Sequence, residues 1–263
     1  MPLPYTGNKG ESNFEADLVE LLTKAGWEKE ILKNKTVPEL IDNWKNILFE
    51  RNRRTLNNIP LSDDEMDRVL DVVKLQANTP VKANHFVNGR PLAIKRDLDS
   101  PDTQHAGHEV YLDLFSAAEI AGGSSRYQIA EQTYFSTDPQ YNDRRGDVTL
   151  LINGMPVIHI ELKSSGVDVY EASNQIIKYA NEGVWNGFMG LVQVFWAITP
   201  EDAMFFANAG NPNSFNPAFF FRWGDRDNNI VKDWRELITG ECHILSVPEA
   251  HKLIGYYTVA DSA

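Results

Sequence analysis

The sequence predicts one α/β domain, and three observations carry that prediction. Apolar residues recur at helical spacing through the first quarter of the 263 residues. Short β-prone runs bounded by turn residues take over from about residue 81. Two strongly apolar runs then meet at Asn153-Gly154, a two-residue hairpin signal, ahead of a further helix pattern and a buried-strand pattern. A chain of this length buries a sizeable core, and 42% hydrophobic with 24% charged residues is ordinary for a globular protein.

In chain order, Ser12-Asn13-Phe14-Glu15 has the S-x-x-E spacing of a capping box, in which the first side chain caps the fourth residue's N–H and the fourth reaches back. Phe14, Leu18, Leu21, Leu22 and Ala25 follow as an apolar stripe, and Gly26 ends it. A second helix opens on the capping box Thr36-Val37-Pro38-Glu39, with Pro at its first position and Leu40, Ile41, Trp44, Ile47 and Leu48 as its stripe. A third opens on Ser62-Asp63-Asp64-Glu65, with Met66, Val69, Leu70 and Val73 on one face. Residues from about 28 to 78 therefore read as a helical insertion after the first helix.

Strands are expected in "HFVNGRPLAI", "HEVYLDLFSA" and "YQIAEQTYFS", then in the hairpin "RRGDVTLLINGMPVIHIELKSS" at 144–165. "VYEASNQIIKYANEG" reads as a helix capped by Asp168, and "LVQVFWAIT" at 191–199 as a buried strand. From 201 to 263 strand-like pieces, "MFFANA" and "AFFFRW", alternate with turns, and Phe219, Phe220, Phe221 and Trp223 are expected in the core. There is no internal repeat and no low-complexity segment.

Charge and composition exclude several classes. With 25 Lys and Arg against 37 Asp and Glu, the net charge is −12, and the pI is near 4.9. A protein that coats nucleic acid electrostatically would carry the opposite balance. Cys242 is the single cysteine, which rules out an internal disulfide and a cysteine zinc cluster. No run approaches the length of a membrane span, and the start "MPLPYTGNKGESNF" has no signal-peptide stretch. The expectation is a cytoplasmic protein with no membrane partner.

Charged residues stand where the hairpin should be buried. His159, Glu161 and Lys163 alternate onto one strand face, and Ile158, Ile160 and Leu162 onto the other. A turn at Asn153-Gly154 sets Asp147 near Ile160, one position short of Glu161, before any bulge. Two carboxylates thus converge at one end of a sheet with an ammonium beside them. Hard carboxylate oxygens suit Mg²⁺, which can hold a phosphodiester and lower the pKa of an attacking water. An ammonium can stabilise charge developing on the phosphate. The plainer alternative is a strand-edge ion pair between Asp147 and Lys163, with Glu161 a solvated strand end.

Gly146-Asp147-Val148, Glu161-Leu162-Lys163 and Gln175-x-x-x-Tyr179, on the helix that follows, together resemble a PD-(D/E)XK nuclease. More closely, the chain resembles the N-terminal endonuclease domain of the R (motor) subunit of type I restriction enzymes. "ESNFEADLVELLTKAGW", "LIDNWKNILFERNRRTLNNIPLSDDEM", "KRDLDSPDTQHAGHEVYLDLF" and "FFFRWGDRDNN" extend the likeness over essentially the whole chain. Gly146 departs from the Pro of the family name.

The resemblance implies a mixed central sheet flanked by helices, its nuclease core at about 11–27 and 108–200. It implies a catalytic trio of Asp147, Glu161 and Lys163, with Mg²⁺ on Asp147 and Glu161. It also implies double-stranded DNA as substrate, methyltransferase and specificity subunits as partners, and ATP use by a motor elsewhere. No G-x-x-x-x-G-K-[ST] phosphate loop is present, so the motor domains are expected to lie outside this chain.

Other residues have two readings each. Glu15 either reaches the metal or serves the capping box. Gln175 and Tyr179 either contact the DNA backbone or brace Lys163. Arg144 and Arg145 either hold a phosphate or form a solvated turn. Arg51, Arg53 and Arg54 read as an exposed helix end or a docking surface for the motor. His159 reads as packing. A recombination or repair exonuclease of the same fold, and a non-catalytic module that kept the fold, are the alternative functions; the helical insertion disfavours the first and the intact trio the second.

Overall fold

A computed structural model of the chain describes residues 10–89, 91–120, 123, 125–135 and 144–256. Residues 1–9, where the absence of a signal peptide was read, and 257–263, the end of the C-terminal segment, lie outside the described residues, as do Arg90 and Ser136 within two of the expected strands. The architecture is α/β, as expected. A six-stranded mixed sheet has the order β1-β4-β5-β6-β7-β8, and β2 and β3 form a separate two-stranded sheet. The main strands are β1 (Leu32–Lys33), β4 (Tyr127–Tyr134), β5 (Arg145–Ile152), β6 (Met155–Leu162), β7 (Val194–Ile198) and β8 (Ala203–Ala207), and the small sheet pairs β2 (Leu92–Lys95) with β3 (Glu109–Leu112). β4, β5 and β6 run antiparallel, β6 and β7 parallel, and β7 and β8 antiparallel. A parallel neighbour needs a crossover, and the helix α5 (Val169–Asn181) supplies it between β6 and β7.

β6 and β7 are buried at every position, which is why their sequences run apolar rather than alternating. The hairpin between β5 and β6 turns at Asn153 and Gly154, both with left-handed backbone at φ 52° and 82°, the type I′ geometry that Asn-Gly favours. A side chain at Gly154 would stand 2.9 Å from the Cα of Trp44, so the turn is pressed against α2 (Val37–Arg51). Asn153 caps the turn from within, accepting from the Arg126 N–H at 2.9 Å and donating to the Leu114 carbonyl at 3.0 Å.

The capping boxes at Thr36 and Ser62 form with both hydrogen bonds present, opening α2 and α3 (Asp63–Gln76). Asp168 caps α5 through the Tyr170 N–H. Glu65 does more than cap: it forms a fully buried ion pair with Arg96 at 3.0 Å, tying α3 to the end of β2. The first expected cap does not form. α1 (Glu11–Lys24) starts from Gly10 with no side-chain cap, which places Ser12 and Glu15 inside the helix and leaves Glu15 free of capping duty. Gly26, at φ 107°, ends α1 as expected.

Two strand expectations are corrected. "HFVN" belongs to a helix, α4 (Pro80–Asn88), nucleated by Thr79 as cap and Pro80 at the first position; only "LAIK" of that run is strand. "AFFFRW" is largely irregular, with a 3₁₀ turn at Pro217–Phe219 and one bridge from Phe221 to Phe205. Phe219 and Phe221 are 58% and 50% exposed rather than core, whereas Phe220 stacks on Phe206 with ring centroids 4.1 Å apart. The last helix, α6 (Val247–Tyr256), returns to the first: Val247 N–H donates to Ala25 O at 3.0 Å and the Trp27 indole to Leu245 O at 2.8 Å.

Candidate active site

A bulge delivers the two acids to each other. Near the turn the hairpin pairs Ile152 with Met155 and Leu151 with Pro156, but beyond a shift at Leu150/Leu151 the pairs become Leu150–Ile158, Thr149–His159 and Val148–Ile160. Continued one step, the shifted register sets Asp147 opposite Glu161, not Ile160. A bulge adds one residue to one strand, and here that residue is the difference between a near miss and a pair. Asp147 Oδ2 accepts from the Leu162 N–H at 2.7 Å, fixing the start of β5 to the end of β6.

Both acids are buried, Asp147 to 7% exposure and Glu161 completely. Burial, and after it the neighbouring Glu161, pushes Asp147 up to about 8. Burial pushes Glu161 up as well, with Lys163 opposing. Such a pair resists carrying two charges without a compensating cation. Lys163 Nζ stands 3.9 Å from Glu161 Oε1 and 3.9 Å from Glu11, and donates to the Leu162 carbonyl at 3.0 Å. Glu161 Oε1 itself is buried with no hydrogen-bond donor.

Glu15 joins this end of the sheet, the consequence of the helix starting early. It is 6% exposed, burial raises it to about 7, and its Oε1 is buried without a donor. Its Oε2 accepts from the Gln132 amide at 2.5 Å, and the same nitrogen lies 3.5 Å from Asp147 Oδ1. Gln132 is a site residue that sequence reading missed. Within β4 its backbone is left-handed at φ 58°, which costs a side-chain-bearing residue about 1–3 kcal/mol, and this kink aims the amide between the two acids. The sequence carried no signal for it.

His159 is not mere packing. It is fully buried, with Nε2 3.1 Å from Glu161 Oε2 and Nδ1 3.0 Å from Thr149 Oγ1. Burial pushes its pKa down to about 4, so the ring is neutral near pH 7. Phe135, Trp185 and Phe195 surround it, with ring centroids at 5.7, 4.9 and 6.4 Å.

Gln175 and Tyr179 meet each other, the Gln175 amide donating to the Tyr179 oxygen at 2.8 Å, as i, i+4 spacing on α5 allows. The Tyr179 hydroxyl then donates to the Arg145 carbonyl at 2.9 Å. The brace therefore lands on the backbone two residues before Asp147 rather than on Lys163. Arg144, Glu171, Asn174, Gln175, Lys178 and Tyr179 line a groove of about 400 Å³ beside this brace. Arg144 pairs with Glu182, and the exposed Arg145 lies over the Tyr134 ring at 5.9 Å. Away from the site, Arg51 is not exposed: its side chain is 7% accessible and pairs with Glu119 at 3.0 Å. Arg53 pairs with Glu50 and lies over Phe49.

The donor set fits a hard divalent cation. All three acids present oxygens, and two of those oxygens are buried without donors, an arrangement that is costly unless something positive fills it. Among the described residues no group of three or more His, Cys, Asp or Glu side chains is placed to hold a metal ion. A Mg²⁺ ion takes as few as one or two carboxylates, with waters completing its shell. Also among the described residues, no helix is long and apolar enough to cross a membrane.

The family described as type I restriction enzyme R protein N terminus has a sequence model that matches residues 9–214. The endonuclease subunit of the type I restriction enzyme SsaAORF53P from Staphylococcus saprophyticus is 29% identical over 249 residues, which cover 94% of this chain and 24% of that protein. The endonuclease subunit of SauMSSORF170P from Staphylococcus aureus is 28% identical over 223 residues, 85% of this chain and 22% of that protein. The EcoprrI endonuclease subunit from Escherichia coli is 38% identical over 96 residues, 35% of this chain and 30% of that protein. The chain spans about a quarter of the length of the curated relatives it matches.

Proposed function

The chain belongs to the family of type I restriction enzyme R protein N-terminal regions, and from that premise we propose that it is the DNA-cutting domain of such an enzyme. Its reaction is Mg²⁺-dependent hydrolysis of phosphodiester bonds in double-stranded DNA, at a PD-(D/E)XK site made of Asp147, Glu161 and Lys163. The observation that carries this is the pair of buried carboxylates, brought opposite each other by a strand bulge, with an ammonium 3.9 Å from one of them.

A divalent cation, when bound, holds the scissile phosphate and lowers the pKa of the attacking water. The rest of the work falls to the side chains. Asp147 and Glu161 bind through carboxylate oxygens, with Glu15 as a third acid within reach through Gln132. The Leu162 N–H keeps Asp147 from turning away. The Lys163 ammonium stabilises charge developing on the phosphate. Gln175 and Tyr179 hold the strand that carries Asp147 and present a polar groove to the DNA backbone.

In this reading ATP-driven translocation belongs to motor domains beyond this chain, and methyltransferase and specificity subunits complete a cytoplasmic complex. The two staphylococcal relatives are about four times as long, which leaves room for a motor. Nicking of supercoiled plasmid at low ionic strength tests the assignment. The wild-type chain is expected to nick slowly and only with Mg²⁺ or Mn²⁺, and Asp147→Ala not at all. Nicking without added metal, or by Asp147→Ala at the wild-type rate, overturns it.

A further inference from the structure

His159 sits where the hairpin bulge makes it useful. Without the register shift at Leu150/Leu151, Val148 would stand opposite His159. With it, Thr149 does, and a hydroxyl reaches one ring nitrogen while a carboxylate reaches the other. All three residues are 0–1% exposed, and the aromatic rings of Phe135, Trp185 and Phe195 wall the imidazole in. Hydrogen-bond bookkeeping then sets the direction. With a cation bound, Glu161 is an ionised carboxylate and only accepts, so Nε2 carries the hydrogen; the other ring nitrogen then offers its lone pair, and the Thr149 hydroxyl donates to it.

We propose that His159 is a positioning residue for Glu161: the chain Thr149 hydroxyl to His159 Nδ1, and His159 Nε2–H to Glu161 Oε2, locks the carboxylate so that Oε1 stays available to a divalent cation. This rests on Glu161 being a metal ligand, as proposed above. The role matches the general behaviour of outer partners of ligating groups, whose loss weakens metal binding by about 10–100-fold. It also explains why Oε2 is satisfied while Oε1 is left without a donor.

Two measurements on the whole chain decide it. Calorimetric titration with Mn²⁺ compares the wild type with His159→Phe, which keeps an aromatic ring but loses the donor, His159→Gln, which keeps an N–H donor, Thr149→Val and Asp147→Asn. Expected are a loss of about 10–100-fold for His159→Phe, near-wild-type binding for His159→Gln, and an intermediate loss for Thr149→Val. Binding lost in Asp147→Asn but unchanged in His159→Phe overturns the positioning role and leaves the metal site standing. A wild-type chain that takes up no Mn²⁺ overturns the metal reading and this inference with it.

The second measurement reads the wild-type chain directly and uses a substitution only for assignment. Nitrogen-15 NMR of the histidine rings in saturating Mg²⁺ reports which nitrogen is protonated, with His159 identified by its absence from His159→Gln. The Nε2–H tautomer is expected. The Nδ1–H tautomer would set a lone pair against Glu161 and overturns the proposal even if His159→Phe fails to fold.

Discussion

The backbone N–H of Leu162 donates to Asp147 Oδ2 across 2.7 Å. One hydrogen bond thus joins the start of β5 to the end of β6, and it fastens one acid of the candidate pair to the residue beside the other. The bond favours an ionised Asp147, but it is outweighed. Burial first, and then Glu161, raises Asp147 to about 8.

That raised value predicts how stability changes with pH. A carboxyl with a folded-state pKa above its unfolded value favours folding below the unfolded value and loses that contribution as pH rises through the folded one. Here the window runs from about 4, the usual carboxyl value, to about 8. Asp147→Asn cannot ionise, and its amide oxygen can still accept from Leu162. It should therefore unfold at higher temperature than the wild type at pH 8–9, by about 2–4 °C for each kcal/mol relieved, with the gap closing toward pH 5. Added Mg²⁺ should raise the midpoint of the wild type by mass action and leave the variant unmoved. Thermal scans across that pH range check both; a variant less stable than the wild type at pH 9 contradicts the account.

Glu15 and Gln132 give a second prediction. Glu15→Gln removes an acid that burial raises to about 7, so the fold should hold or gain stability while Mn²⁺ affinity and nicking fall, by about 10-fold if Glu15 acts on the ligands from outside. Gln132→Gly suits the left-handed backbone at φ 58° but deletes the amide between Glu15 and Asp147. It should keep its thermal midpoint within a few degrees and lose nicking activity. Full activity in Gln132→Gly would show that the amide between Glu15 and Asp147 has no bearing on the chemistry.

What was legible in the sequence was local. Asn153-Gly154, the boxes at Thr36 and Ser62, and the cap at Asp168 are short-range chemistry, and each forms as read. The pair Asp147 and Glu161 was legible as residues but not in register, because nothing in "TLLINGMPV" marks the shift at Leu150/Leu151. The same bulge hid the role of His159, whose partner Thr149 faces it only in the shifted register. Gln132 escaped for a related reason: a left-handed residue inside a strand is imposed by its surroundings. At Glu15 a local motif misled. S-x-x-E spacing matched a cap, whereas the helix began earlier, from Gly10. The signal for α4 was present in Thr79-Pro80, a cap followed by Pro at the first helical position, but β-prone His85-Phe86-Val87 drew the reading toward a strand.

The brace from α5 predicts a separation of binding from chemistry. Tyr179→Phe removes a hydrogen bond to the Arg145 carbonyl, a loss of about 1 kcal/mol in stability, and loosens the strand just before Asp147. Gln175→Ala should act in the same direction through Tyr179. Nicking should fall in both while Mn²⁺ affinity stays near the wild-type value, since neither side chain is a good ligand for a hard cation. A drop in affinity as large as that of Asp147→Asn would reassign these residues to the metal.

Charge makes the final prediction. A chain of net charge −12 repels the DNA polyanion except at local patches, and each phosphate contact it makes adds a counterion-release contribution that salt erodes. Of the arginines nearest the acids, Arg144 is paired with Glu182 and Arg145 lies over Tyr134. Lys178 lines the groove beside them together with the acidic Glu171. Duplex binding by the chain alone should therefore fall in the non-specific range, roughly 10⁻⁴–10⁻⁶ M or weaker at physiological salt. Cutting should then depend on other parts of the assembly presenting DNA at high effective concentration, which would keep a nuclease without sequence preference from indiscriminate cleavage. Fluorescence anisotropy of a labelled duplex, titrated at several salt concentrations up to about 150 mM, measures the affinity and the salt slope together. Nanomolar binding would mean that a dedicated DNA surface exists on this chain despite its charge, and would move the autonomous exonuclease reading ahead of the restriction one.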